Sequence, residues 1–122
     1  MSDELREVAG TRILLCAIEG PAIRKPQDAN DLIAAASDAS ADLVAVPMER
    51  LDPAFFQLRT GLAGEILQKF VNYRVRLAIL GDFTQPAADS TALRDLIRES
   101  NSGRTTWFLP DVAELEARLM AP

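Results

Sequence analysis

Four short apolar runs alternate with longer amphipathic segments, and this alternation limits the fold of the chain more than any other feature. The runs cover residues 12–18, 42–47, 76–80 and 105–109, and residues 5–8 form a weaker strand candidate before them. Strands that alternate with helices usually pair in parallel and carry the helices on the faces of their sheet. The pattern therefore predicts one α/β domain over residues 1–122, with a single mixed, mainly parallel sheet and flanking helices.

Three of the segments that follow the runs contain residues that favour the start of a helix. Asp28, Ser90 and Asp111 are predicted N-caps, because their side-chain oxygens can accept hydrogen bonds from the free backbone N–H groups of a first turn. Gly103 is expected to end the helix that begins near Ser90.

Residues 55–71 have apolar side chains three and four positions apart, which predicts a helix with Leu67 on its buried face. Gly61 and Gly64 interrupt this pattern, and glycine is unfavourable inside a helix. Two explanations are open. Either the helix breaks here and Thr60 caps a new one, or the backbone packs so closely that no side chain fits.

The composition argues against several classes of protein. Thirteen Lys and Arg against 18 Asp and Glu give a net charge of -5, which disfavours nucleic-acid binding because that binding depends on neutralising phosphates. The chain has no His, so it lacks the commonest general base. Its single cysteine, Cys16, lies in an apolar run and is predicted to be a buried, inert thiol. We expect no cofactor and no metal.

The sequence gives no sign of export or membrane insertion. Residues 1–8 are acidic and polar, without the positively charged start of a secretory signal. The longest apolar run, residues 13–18, is far shorter than the roughly 20 residues that cross a bilayer. A chain with one cysteine also suits a reducing compartment. We therefore expect a cytoplasmic protein with no membrane contact.

Residues 51–82 contain a long specific motif that is similar to the core of the bacterial family catalogued as domain of unknown function 4180. The segments Arg-Glu-Ser-Asn at 98–101 and Trp-Phe-Leu-Pro-Asp at 107–111 fit the same family. The resemblance covers nearly the whole chain. It implies almost nothing about activity, because the family is uncharacterised.

The order of the predicted elements also resembles that of the STAS domain, the module of anti-sigma-factor antagonists. In those domains a helix opens with an Asp-Ser-Ser/Thr-Gly-Leu-Gly motif. Here Thr60, Gly61 and Leu62 match that motif, whereas Leu58 replaces the acidic residue. Arg59 stands in place of the serine that is phosphorylated in the antagonists. The resemblance implies a regulatory fold without the usual phosphorylation switch.

Charged and turn-forming residues follow the predicted strands at 49–50, 81–82 and 110–111. Ligands and partners of an open parallel sheet meet this edge. Residues 59–61 are expected to enter their helix at the same edge, where free N–H groups and an arginine favour a carboxylate or phosphate. The predicted anion- or partner-binding residues are Arg59, Thr60, Gly61, Glu49, Arg50 and Asp82.

These residues also have simpler structural interpretations. Thr60 would only cap a helix, and Arg59 would pair with Glu49 or Asp82. The carboxylates of Glu49, Asp82 and Asp111 are a further candidate pair for acid–base chemistry or a magnesium site, although Asp82 and Asp111 equally suit turns and caps. We assign no catalytic residue.

The leading hypothesis is a regulatory or interaction module that binds a protein partner or a small anion around residues 59–61. The alternative is a small-molecule enzyme or ligand-binding domain that uses Glu49 and Asp82 at the same edge. A homodimer through an apolar helix face is a third alternative. The absence of His favours binding over catalysis.

Overall fold

The computed structural model describes residues 3–121. The strands are β1 Glu4–Val8, β2 Thr11–Leu15, β3 Leu43–Pro47, β4 Arg76–Leu80 and β5 Thr106–Leu109. The helices are α1 Pro26–Asp38, α2 Leu62–Asn72, α3 Thr84–Ala87, α4 Thr91–Ser102 and α5 Val112–Met120. Short 3₁₀ turns between β3 and α2 cover Met48–Arg50, Pro53–Phe56 and Leu58–Thr60.

The strands form one sheet in the order β1-β2-β3-β4-β5. β1 pairs with β2 in antiparallel fashion, and the remaining pairs are parallel. Ala9 and Gly10 connect β1 to β2 with φ angles of 50° and 83°, the left-handed geometry that a two-residue hairpin turn requires. The predicted α/β class, with a mixed and mainly parallel sheet and flanking helices, is confirmed.

Alternate residues of each strand face two separate apolar clusters. Val44 and Val46 pack with residues of α1, α2 and α4 on one face of the sheet. Leu43 and Ala45 face the other side, where Leu115 of α5 completes the second cluster. Both faces are covered, which explains why the strands are continuous apolar runs rather than alternating ones.

Two of the three predicted N-caps are confirmed. The Oγ of Ser90 accepts a hydrogen bond from the backbone N of Leu93 at 3.1 Å. The Oδ1 of Asp111 accepts one from the backbone N of Glu114 at 2.9 Å. Gly103 ends α4, as the sequence predicted.

The predicted N-cap at Asp28 is wrong by three positions. The helix begins at Pro26, and Lys25 is its N-cap. The Oδ2 of Asp28 reaches back to accept hydrogen bonds from the backbone N of Arg24 at 2.9 Å and of Lys25 at 3.2 Å. Pro26 is well suited to the first helical position, because it has no N–H to leave unpaired.

β2 ends at Leu15, three residues before the end of its apolar run. The backbone N of Cys16 still donates to the carbonyl of Ala45 at 2.9 Å. The carbonyl of Ala17 then accepts a hydrogen bond from the guanidinium of Arg50, and Ile18 is 57% exposed. The backbone N of Gly20 also donates to the carbonyl of Ala17, at 3.4 Å. A local turn and the distant Arg50 thus both hold the chain where it leaves the sheet.

The glycines before and inside α2 settle the choice between a broken helix and close packing. Gly61 has a φ of 78° and separates the Leu58–Thr60 turn from α2, so the helix does break there. A Cβ atom on Gly64 would meet nothing within 4 Å. The explanation by close backbone packing is therefore wrong for Gly64.

The buried face of α2 is centred on Ile66 and Phe70, which are 2% and 1% exposed. Leu67 packs against the same cluster but is only partly buried. Val71, which the periodicity placed on the same stripe, is 45% exposed. The prediction for Leu67 is thus confirmed only in part.

Candidate functional site at the strand ends

The carboxyl ends of β3, β4 and β5 meet at one edge of the sheet, here called the strand-end edge. It comprises the turn at Met48–Arg50 after β3, residues 81–84 after β4 and residues 110–111 after β5. The strand order follows the chain without reversal. The sheet therefore has no topological switch point, which is where such sheets usually open a crevice.

A cleft nevertheless opens on this edge, where the chain leaves β4 and crosses to β5. Its volume is about 450 Å³ and it is open to solvent on one side. Phe83, Ile97 and Phe108 supply apolar side chains to its walls. The remaining residues of this strand-end cleft are Gly81, Asp82, Thr84, Ala87, Arg94 and Pro110.

A chain of aromatic contacts connects the cleft to the 3₁₀ turns before α2. The ring centroids of Phe55 and Phe56 are 5.1 Å apart, and those of Phe56 and Phe83 are 6.1 Å apart. Phe83 in turn meets Phe108 edge-on at 5.4 Å. The Phe56 and Phe83 rings meet at a tilted angle of 42°, and aromatic contacts within about 7 Å are favourable, so Phe56 packs against the wall of the cleft.

Gly81 lets the end of β4 approach Met48 closely. A Cβ atom at position 81 would overlap the Met48 side chain. The backbone N of Gly81 also donates to the carbonyl of Leu109 at 3.0 Å, which continues the pairing of β4 with β5. A larger residue at position 81 would therefore require the Met48 side chain to move.

Asp82 is exposed at the mouth of the cleft, but its carboxylate is already engaged. Its Oδ1 accepts a hydrogen bond from the backbone N of Thr84 at 3.0 Å. Hydrogen bonds from the side chain and the backbone of Thr84 lower the pKa of Asp82. A carboxylate stabilised in its charged form is a weaker base, so this geometry suits a turn or an acceptor better than a general base.

Arg94 also lines the cleft, although the sequence did not predict it as a site residue. Its guanidinium donates to the carbonyls of Ala87 and Ala88 at 2.9 and 3.0 Å. A third hydrogen bond reaches the Oγ1 of Thr91 at 3.0 Å. These contacts fix α3 against α4. No local pattern predicts them, because the side chain crosses from one helix to the next.

Arg50 lies beneath the surface of the edge. It is 6% exposed, and its Nε and one terminal nitrogen donate to the carbonyls of Pro21 and Ala17 at 3.1 and 3.2 Å. A Cβ atom on Gly20 would overlap the guanidinium. Arg50 therefore holds the loop after β2, and the structure does not bring it to the surface with the other predicted site residues.

Arg59 and Glu49 are both exposed. Within residues 3–121, neither forms an ion pair, and Arg59 does not pair with Asp82. The hydroxyl of Thr60 lies 2.7 and 2.9 Å from the carbonyls of Ala54 and Gln57. These contacts join the two 3₁₀ turns that precede Gly61.

The predicted capping role of Thr60 is only partly realised. Its Oγ1 accepts a long hydrogen bond, 3.3 Å, from the backbone N of Leu62, the first residue of α2. The N-cap residue is Gly61, which has no side chain to accept a hydrogen bond from the first turn of α2.

Cys16 is buried beside Arg50. Burial raises the pKa of its thiol from 9.0 to about 11, and the nearby carboxylate of Asp3 adds to the increase. The Arg50 guanidinium acts in the opposite sense but is outweighed. The thiol is therefore protonated at neutral pH, which is the inert state that the sequence predicted.

No group of three or more His, Cys, Asp or Glu side chains within residues 3–121 could hold a metal ion. No helix in the same range combines the length and the apolar character needed to cross a membrane.

The model of the family described as a domain of unknown function, DUF4180, matches residues 8–119. No curated protein and no solved structure matches the chain. Because the matched segment spans most of the 122 residues, the chain belongs to the DUF4180 family.

Proposed function

We propose that the chain is a cytoplasmic binding module that docks a segment of a protein partner in the strand-end cleft. The observation that carries this proposal is the open cleft with walls formed by Phe83, Ile97 and Phe108. Binding sites are usually concave and mostly apolar, as this cleft is.

The polar groups around the cleft favour a protein segment over a small polar ligand. Small-molecule sites present a few convergent polar groups that are free to orient the ligand. Here the carboxylate of Asp82 and the guanidinium of Arg94 are occupied by their own neighbours. An apolar side chain on a partner can fill the cleft without displacing these bonds.

Arg59 supplies the charge that the partner recognises. It is exposed and follows Phe56 by three residues, and Phe56 contacts Phe83 in the wall of the cleft. A carboxylate or phosphate beside the docked segment would reach the Arg59 guanidinium, which binds such groups with two parallel hydrogen bonds. The resemblance of residues 60–62 to the STAS motif supports the same surface, with a fixed cation where the antagonists carry a phosphoserine.

Capture from the native host with matched variants tests this proposal. The informative variant is Ala87→Glu, which fills the cleft with a charged side chain. Ala92→Glu is its control, because Ala92 is exposed near the start of α4 and does not line the cleft. Arg59→Glu tests the charged contact, with Arg24→Glu as a second exposed control.

We expect one partner to bind the wild type and both controls, and to be lost from Ala87→Glu and Arg59→Glu. Equal capture by all five proteins would contradict the proposal. If the captured chain is a second copy of this protein, the homodimer is correct and the protein-partner proposal is wrong. Urea unfolding of each variant separates lost binding from lost folding.

A further inference from the structure

A second pocket lies at the opposite end of the sheet, and three arginines converge on it. Its volume is about 400 Å³. It includes the first residues of β2 and β4, and therefore sits at the amino ends of the parallel strands. Its lining includes Arg76, Arg104, Arg118, Trp107, Thr11 and Ser102.

Two of the arginines are fixed against one aromatic ring. The guanidinium carbon of Arg76 lies 4.7 Å from the centroid of Trp107, and that of Arg118 lies 4.5 Å away. Contacts with backbone carbonyls add to this positioning. The Nε of Arg76 donates to the backbone carbonyl of Arg104 at 2.8 Å. A terminal nitrogen of Arg118 donates to the backbone carbonyl of Asn101. Each of these bonds uses only one nitrogen of its guanidinium. Unlike Arg94, which uses both terminal nitrogens, the two groups are held in place with further N–H groups left for a ligand.

The positive charge of this pocket is not balanced by its own walls. No Asp or Glu lines it, and none of its three arginines forms an ion pair within residues 3–121. Burial lowers the pKa of Arg76, and the charge of Arg104 lowers it further. Asp42 acts in the opposite sense, but its Oδ2 is engaged by the backbone N of Arg12 at 3.0 Å.

Helix dipoles explain only part of this arrangement. Arg104 follows the carboxyl end of α4 and Arg118 lies in the last turn of α5. Each such end carries roughly half a negative charge. Three full positive charges remain undercompensated, and a bound anion would relieve their mutual repulsion.

We propose that this pocket binds a phosphate monoester, with the phosphate held by the three guanidinium groups. Arginine forks match phosphate oxygens in pairs, and the hydroxyls of Thr11 and Ser102 offer neutral donors to the same group. The pocket's volume of about 400 Å³ far exceeds the volume that one molecule takes up in liquid water, about 30 Å³. It therefore has room for the organic part of an ester.

Trp107 is the single tryptophan of the chain, so its fluorescence reports on this pocket alone. The titrants are glycerol 3-phosphate, inorganic phosphate and glycerol, each at constant ionic strength. Arg104→Gln is the informative variant, since Arg104 is exposed and does not stack on the ring. Arg59→Gln is the control, because it alters the other end of the sheet and separates this site from the proposed partner site.

We expect a saturable fluorescence change with glycerol 3-phosphate, weaker binding of inorganic phosphate and no saturation with glycerol. Losing one charge-assisted contact should weaken ester binding by about tenfold or more in Arg104→Gln. Arg59→Gln should bind like the wild type. The proposal is wrong if the ester does not saturate, if it binds no better than inorganic phosphate, or if Arg104→Gln binds it unchanged.

Discussion

The side-chain amide of Asn101 pairs with both backbone groups of Phe108. Its Oδ1 accepts a hydrogen bond from the N of Phe108 at 2.7 Å, and its Nδ2 donates to the carbonyl of Phe108 at 3.0 Å. β5 is the last strand of the sheet, so Asn101 occupies the place of a neighbouring strand. It blunts an edge that could otherwise pair with another chain, and it holds a wall of the strand-end cleft.

Asn101→Ala should lower the free energy of unfolding by about 1–3 kcal/mol, because two partly buried backbone groups lose their partner. Asn101→Asp should also be destabilising, since a carboxylate keeps the acceptor for the N of Phe108 but turns its second oxygen towards a carbonyl. Urea unfolding measures both. A loss below about 0.5 kcal/mol, the range of surface substitutions, would contradict the role given to Asn101.

Gly64→Ala should stabilise the protein by about 0.5–1 kcal/mol, because alanine is more favourable than glycine inside a helix. Gly64 is inside α2 and a Cβ atom there has open space. Gly61→Ala is the matched comparison and should be destabilising, since Gly61 has a φ of 78° that alanine rarely adopts. Thermal unfolding of the two variants should give melting temperatures on opposite sides of the wild type, and the same sign for both would refute this account.

The strands could be predicted from the sequence because burial on both faces imposes continuous apolar runs. The N-caps at Ser90 and Asp111 could be predicted because capping depends on a few consecutive residues. The hydrogen bond between Arg50 and the carbonyl of Ala17 could not, because the two residues are distant in the sequence. Long-range contacts of this kind leave no local pattern.

The sequence predicted the edge of the sheet at which the cleft opens, but not most of the residues that line the cleft. The strand ends were correctly located, and Asp82 lines the cleft that opens there. Phe83, Ile97 and Arg94 were missed as cleft residues, because only the crossing from β4 to β5 brings them together. Arg50 has the charge of a binding residue, but its burial gives it a structural role. The binding role of residues 59–61 stays a prediction.

Ile66→Ala should cost about 2–5 kcal/mol, the usual loss when a fully buried aliphatic side chain leaves a cavity. Leu67→Ala should cost less, because Leu67 is partly exposed and its site can fill with water. Helix propensity works against this difference, because alanine gains more over the β-branched Ile66 than over Leu67. Equal losses in urea unfolding, or a larger loss for Leu67→Ala, would show that the buried face of α2 is misplaced.

The protein should lose stability as the pH rises through the range in which Cys16 ionises. Its folded-state pKa is raised from 9.0 to about 11, so folding favours the neutral thiol. This contribution is complete below pH 9 and disappears as the pH passes the folded value of about 11. It amounts to about 2–3 kcal/mol, since each pKa unit corresponds to about 1.4 kcal/mol.

Urea unfolding of wild type and Cys16→Ala across this pH range measures the effect. Lys and Tyr side chains titrate in both proteins, so only the difference between the two slopes belongs to Cys16. The wild type should lose stability more steeply than Cys16→Ala. Parallel slopes would contradict the burial of the thiol.

The most direct test of the central claim is an amide ¹H–¹⁵N NMR titration of the protein with its captured partner. We expect the amide signals of Thr84, Ala87 and Ile97 in the strand-end cleft to shift or broaden as the partner is added. The signals of Gly103 and Arg104, at the opposite end of the sheet, should stay in place. Perturbations confined to that opposite end, with an unchanged cleft, would contradict the proposed function.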